Sequence, residues 1–195
     1  MPATTAQLDL DQVVTAYRRT ADVPALLGQL DRIARGYPTG DLVAATQPYM
    51  DLHEVAGPIY EVIVEREPDN ARALVALANA YWLTGRGPDV VAALAVRARQ
   101  ADPSSRAAWH LWALSESSPR ERTNRWNEVV QRFPEDDVAR ASLADNSAAL
   151  AGAENDSVAL KLAIASYQIL LDRATRDDQR AAVQRALETL RNWKA

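Results

Sequence analysis

Apolar residues return every three to four positions along most of this chain, the period of an amphipathic helix rather than a strand. The clearest stretch is Pro68 to Pro103. There Leu74, Leu77, Ala78 and Tyr81 form one stripe, and Val91, Leu94, Ala95 and Ala98 repeat the spacing. Asp69 or Asn70 is placed to cap the first helix, Gly85 to end it, and Pro88 to open the second. The three types suit those roles: a side-chain acceptor for free N–H groups, a backbone tolerant of positive φ, and a residue with no N–H to satisfy. Two helices joined by so short a turn must pack antiparallel.

The same reading extends both ways. Asp9 or Asp11 begins a helix running to about Thr20, after a polar start over residues 1–8. Asp22, with Pro24 just inside, begins another that ends near Gly36, its stripe being Leu26, Leu27, Leu30 and Ile33. Residues 41–67 contain Pro48 and Pro58 and admit two parses. One ends a helix near Gln47 and restarts at Asp51, with Glu54 completing a capping box and Pro58 kinking the helix. The other runs one bent helix to Ala56 and restarts at Pro58. Counting back from Pro68 favours the first.

Downstream, Ser104 or Ser105 caps a helix carrying Trp109, Trp112 and Ala113. Ser118-Pro119-Arg120-Glu121 is a helix start with Glu121 reaching back, and Trp126, Val129, Val130 and Phe133 follow at core spacing. An Ala-rich helix runs from about Asp137 to Ala151, with Leu143 and Leu150 inward and Gly152 at its end. Asp156 or Ser157 caps the next, striped by Leu160, Ile164, Tyr167, Leu171 and Ala174. A last helix from Asp177 carries Val183, Ala186, Leu187 and Leu190.

Proline closes successive units: 35 residues separate Pro68 from Pro103, and 31 separate Pro103 from Pro134. One such hairpin cannot bury its stripes alone, so neighbours must stack on it. The stretch 68–134 resembles the tetratricopeptide repeat, a helix-turn-helix unit of about 34 residues. The resemblance rests on Leu77, Ala78, Tyr81, Gly85, Ala98 and Pro103 in one unit. In the next it rests on Trp109, Trp112, Ala113, Trp126 and Pro134, and upstream on Ala56, Tyr60 and Pro68. About three degenerate repeats are matched, over about 100 residues. The second departs in length and in placing Glu116 where the family usually has an aromatic ring. The expectation is an all-α fold: an α-solenoid of antiparallel helical hairpins, a superhelix of about 8–9 helices. It divides into an N-terminal cap (1–39), the array (40–174) and a C-terminal capping helix (175–195) of a single continuous domain.

Composition narrows the function. Lys and Arg total 22 against 26 acidic residues, and the net charge is −4, which argues against a nucleic-acid binder. The related pentatricopeptide family binds single-stranded RNA; only one interval has its length, and the charge is wrong. With no cysteine, disulfides, thiolate metal sites and cysteine nucleophiles are excluded. His53 and His110 do not have metal-ligand spacing, Gly85-Arg86-Gly87 lacks the lysine of a phosphate loop, and no catalytic constellation is visible. No metal, cofactor or enzyme activity is expected. The acidic clusters Glu135-Asp136-Asp137 and Asp177-Asp178 read as helix-start residues. Arg120, Arg122 and Arg125 read as a solvated patch or a dock for an acidic partner. No signal segment or membrane span is visible, so the expected location is cytoplasmic.

In tetratricopeptide proteins the inner face of each first helix lines a concave groove that holds a peptide or partner helix. The resemblance therefore implies a binding face at Arg72, Val75, Asn79, Trp82 and Leu83, continued by Ala107, His110, Leu114 and Ser117 and then Val138, Ala141 and Asp145. Trp82 adjoins Tyr81, and helical neighbours cannot both face one core. It is either a groove anchor or packs on the next repeat. Asn79 resembles the asparagine that such grooves use on a peptide backbone or terminal carboxylate. The basic clamp for acidic C-termini is absent, since Val75, Leu111, Val138 and Ser142 occupy its positions, so an apolar or amphipathic ligand fits better. The expected function is a non-catalytic adaptor binding a protein or peptide partner. The alternative is a structural subunit of a larger complex or a homo-oligomer formed through the Ala-rich C-terminal helices.

Overall fold

The computed structural model describes residues 4–193 and is helical throughout them. Eleven α-helices follow one another: α1 Thr5–Thr20, α2 Val23–Gly36, α3 Thr39–Thr46, α4 His53–Arg66, α5 Ala71–Leu83, α6 Pro88–Ala101, α7 Arg106–Leu114, α8 Pro119–Arg132, α9 Asp137–Glu154, α10 Ser157–Arg173 and α11 Asp177–Arg191. A single 3-10 turn, Gln47–Tyr49, lies between α3 and α4. The count exceeds the eight or nine expected, and the helix that the first parse of 41–67 ends near Gln47 is present as α3.

Capping side chains explain most of the boundaries. Thr4, Asp22, Asn70, Ser118, Asp136 and Asp156 each accept from a backbone N–H of the first helical turn that has no intrahelical partner. Thr4 starts α1 well before Asp9, so Thr5 to Leu8 are helical; residues 1–3 lie outside the described residues. The parse with two helices over 41–67 is the one found, and Pro58 lies inside α4. Its capping box does not form: the N-cap is Leu52, whose carbonyl accepts from Val55 and Ala56. At α8, Glu116 rather than Glu121 reaches the Ser118 N–H, at 2.9 Å. Gly85 and Gly87 take φ of 73° and 96° in the α5–α6 turn, the region that glycine enters without strain.

The chain forms two compact units, the second beginning at Trp112 within α7. In the first, α1 packs on α2 and α3, α4 on α2, α3 and α5, and α5 on α6. Its core is built from large aliphatic side chains such as Leu10, Leu30, Leu42, Ile59, Ile63 and Leu74, all nearly inaccessible. In the second, α9 packs on α8 and α10, and α10 on α11. There α10 turns Ala159, Ala163, Ser166 and Leu170 inward. That stripe is one position away from the expected Leu160, Ile164, Tyr167 and Leu171, which are half-buried flanks. The inward stripe is thus made mostly of small residues. Gly152 lies inside α9 rather than at its end, and Asn155, at φ 54°, forms the left-handed cap. A Cβ on Gly152 would stand 2.6 Å from the Trp193 ring, so the bare backbone there makes room for the ring.

Arginines tie the hairpins together within each unit. Arg66 donates to the carbonyls of Tyr37 (2.8 Å) and Arg35 (3.1 Å), and Arg97 to that of Pro68 (2.9 Å). In the second unit Arg173 donates to that of Pro134 (3.1 Å). Each fills a carbonyl at or just beyond the end of the preceding hairpin, where intrahelical donors have run out. Tyrosine hydroxyls make a second set of links, Tyr37 to Asp9 (2.6 Å), Tyr49 to Asp11, Tyr81 to Glu61 (2.7 Å) and Tyr167 to Asp145.

Candidate functional site

Helix α5 buries Ala73, Leu74, Ala76, Leu77, Ala78 and Ala80. What remains is one ridge at helical spacing: Arg72 and Asn79 exposed, Val75 half-buried, Trp82 39% exposed and Leu83 60% exposed. An indole and a leucine thus stand side by side at the end of the helix, both open to solvent. The five predicted α5 residues therefore share one solvent-facing side of one helix. His110, on α7 in the same unit, is half-buried, and Leu114, 37% exposed, belongs to the second unit. Ala107, Ser117 and Val138 are exposed, Ala141 is half-buried, and Asp145 accepts from the Tyr167 hydroxyl. Leu111 is buried, so it does not stand at a clamp position as the repeat register implies.

The other aromatic and charged candidates are engaged structurally. Trp126 is buried. Trp109 donates its ring N–H to the Pro103 carbonyl (3.1 Å), and the Arg99 guanidinium lies over its ring, 3.8 Å from the centroid. Arg125 lies over Trp112 at 4.8 Å and pairs with Glu116 at 2.5 Å. Glu116, standing where the family has an aromatic ring, thus receives a guanidinium and a backbone N–H. The Ser118 N–H, foremost, and then Arg125 hold its carboxyl below the usual glutamate range. Arg120 pairs with Glu154 and, at 3.0 Å, with Asp156. Arg120 and Arg125 are thereby internal links rather than a free basic dock. Asp136 caps α9, Glu135 and Asp137 pair with Arg173, and Asp178 pairs with Arg176. Among the described residues no three of His, Asp and Glu are placed to hold a metal ion. Among the same residues no helix is long and apolar enough to cross a membrane.

A recess that sequence reasoning did not find lies over α4 in the first unit. Its volume is about 940 Å³, and its lining comes from α2, α4, α5 and α6. None of the predicted binding residues lines it. Leu27 and Val90 stand on its two walls, 45% and 44% exposed. Leu27, expected in the core stripe of α2, is thus turned outward, and Leu26 takes the core place. The signal was present in the sequence. Leu26-Leu27 and Val90-Val91 are adjacent apolar pairs, and one member of each must point away from its core. At the recess, Tyr81 donates to Glu61, and Arg86 stands 3.8 Å from that carboxylate and 5.3 Å from the Tyr81 ring centroid. Burial, helped by the Glu61 carboxylate, pushes the Tyr81 hydroxyl up to about 12.

Comparison with known proteins bears on the fold. No family model matches the chain, and no curated protein matches it. Among solved structures, it is similar to a thermophilic TPR protein of Thermus thermophilus, TTC0263. The identity is 18%, over 94% of this chain and 99% of that one, with a TM-score of 0.59. It is also similar to MamA MSR-1 C2, at 12% identity over 85% of this chain and 98% of that one, with a TM-score of 0.55. The fold is thus all-α and tetratricopeptide-like, of the helical solenoid class, as the repeat spacing implied.

Proposed function

We propose that this chain is a non-catalytic interaction module that holds a protein partner against the open side of α5. The observation that carries the reading is the pairing of Trp82 and Leu83, 39% and 60% exposed beside Val75 and Asn79 on one helix side. Adjacent exposed apolar groups rimmed by polar residues mark interaction sites, and tryptophan is enriched among the residues that anchor them. Arg72 and Asn79 supply hydrogen-bond donors at the same side, fitting an amphipathic peptide or helix. The reading also counts His110, half-buried on α7, and Leu114, an exposed apolar residue of the second unit, as candidate contacts. The tetratricopeptide-like fold supports a role as an interaction module or scaffold. The test replaces Trp82 and Leu83 by Ala and Ser and compares partner capture from the source cells. Both side chains are exposed, so the fold survives, and capture is expected to fall. Unchanged capture overturns the reading.

A second reading is self-association, or a fixed place in a larger complex, through α10. Val158, Leu162, Ala165 and Ile169 recur at i, i+4, i+7 and i+11, with Val158 72% and Ile169 36% exposed. Sedimentation of the wild type and of Val158→Asp decides: a monomer at every concentration removes self-association.

A further inference from the structure

We infer that α11 is a displaceable lid on the α9–α10 hairpin, latched shut by the Trp193 ring seated on Gly152. The seat depends on one residue. Gly152 lies inside α9, where glycine weakens a helix relative to alanine. Apart from its own helix, the three atoms nearest to a Cβ built there all belong to the Trp193 ring, at 2.6, 3.3 and 3.7 Å. A methyl group at position 152 would have to displace the ring. The ring therefore has its place on α9 only because residue 152 has no side chain.

The same geometry shows what the lid covers. Helix α11 packs on α10, and Trp193, just beyond it, carries the contact across to α9. On α9, Gly152 follows Asp145 at i+7, so the two share one side of the helix. Asp145 accepts from the Tyr167 hydroxyl, which makes this the side on which α10 carries Tyr167. Leu160, Ile164 and Leu171 stand on Tyr167's side, at i−7, i−3 and i+4, and all three are half-buried. Helix α11 thus lies along an apolar strip, and it is held there lightly. Of its 15 residues only Leu187 and Leu190 are buried. It begins without a side-chain cap, whereas Asp136 and Asp156 cap α9 and α10. Its side-chain links to α10 come from exposed arginines, Arg180 to the Ala174 carbonyl (2.6 Å) and Arg191 to Gln168 (2.7 Å). A helix with so few buried groups opens at a lower free energy than the hairpin beneath it, and the ring on Gly152 supplies the remaining hold. In stacked hairpins such a strip is what a neighbouring hairpin covers, so the lid decides whether it is available.

The experiment is amide hydrogen exchange on the full chain, comparing wild type, Gly152→Ala, Trp193→Ala and the double variant. In the wild type α11 should exchange faster than α9 and α10. Gly152→Ala should speed α11 at least about tenfold while leaving α9 no faster, although alanine is the better helix former. Trp193→Ala should do the same. Adding Gly152→Ala to Trp193→Ala should then have no further effect on α11, because no ring is left to displace. A second measurement reads the strip itself. The chain has no cysteine, so Ile164→Cys places a single thiol beneath the lid. Its labelling by a maleimide should quicken at least about tenfold when Gly152→Ala is added. Unchanged slow exchange of α9 shows that the hairpin stays folded in every variant. Three results overturn the inference: wild-type α11 as protected as α9, a Gly152→Ala effect on α11 of equal size with and without Trp193, or thiol labelling at position 164 that Gly152→Ala leaves unchanged.

Discussion

The two compact units solve the same packing problem with different materials. Of the twelve largest fully buried side chains, nine lie before Trp112, and only Leu143, Leu187 and Val129 lie after it. Of the seven buried polar or charged residues among those described, Thr46 alone lies in the first unit; Ser115, Thr123, Asp136, Arg140, Ser147 and Ser166 lie in the second. The first unit is held by aliphatic volume. The second combines fewer large aliphatic side chains with buried polar groups, and arginine–carboxylate links such as Arg120–Asp156 and Arg173–Asp137 cross it. A shared helix-hairpin architecture therefore does not imply a shared energetic basis. Volume tolerates surface change and suffers from truncation, whereas a small buried side chain suffers from enlargement.

The largest expected effect tests the first half of that contrast. Ile63→Ala in the first unit should cost about 2–5 kcal/mol, because a fully buried side chain leaves a cavity. Denaturant unfolding measures it, and a loss below the cost of a surface change would break the comparison. In the second unit the reverse substitution is the damaging one. Ala163, inaccessible in α10, should cost about 1–3 kcal/mol when enlarged to Leu, since α9 must move away. Hydrogen exchange should then show the loss confined to α9–α11.

Both units should share an alkaline limit. Burial, and then the Asp11 and Glu61 carboxylates, push the hydroxyls of Tyr49 and Tyr81 up to about 12, and burial with Asp145 raises that of Tyr167 further. A raised folded value means these contributions are complete below the unfolded value, near about 10, and are lost as pH rises toward about 12. Tyr81→Phe and Tyr49→Phe should flatten thermal stability against pH across that window. A smaller loss, about 1 kcal/mol, is expected for Asn70→Ala, which removes the side-chain acceptor 3.0 Å from the Ala73 N–H. The smallest belongs to Ser147→Ala. Its hydroxyl is buried without a hydrogen-bond partner, so the change should be under about 1 kcal/mol and can be stabilising.

Much of this arrangement is legible in the residues alone. The stripes of α5 and α6, the caps at Asp22 and Ser118, the glycine turn and the first parse of 41–67 follow from period and local chemistry, which act over a single turn of helix. Two of the misreadings share a cause: Leu27 and the inner face of α10 are placed by spacing alone, whereas Gly152 is placed by the usual position of glycine at a helix end. Spacing leaves a choice between two adjacent faces when both carry apolar or small residues. For the candidate binding residues, the sequence sets Trp82 beside Tyr81 and so demands that one turn outward. That it is Trp82, and that Leu83 is open beside it, depends on what α4 and α6 cover.

The sequence by itself determined that this chain is helical, where most of its helices begin and end, and that they pair in hairpins. Those properties rest on interactions between residues no more than a few positions apart. Only the tertiary structure decided which flank of each helix is covered, that the two units are held by different means, and that α2 and α6 leave a channel over α4. Those depend on how near two backbones can come, and that distance is set jointly by side chains far apart in the chain.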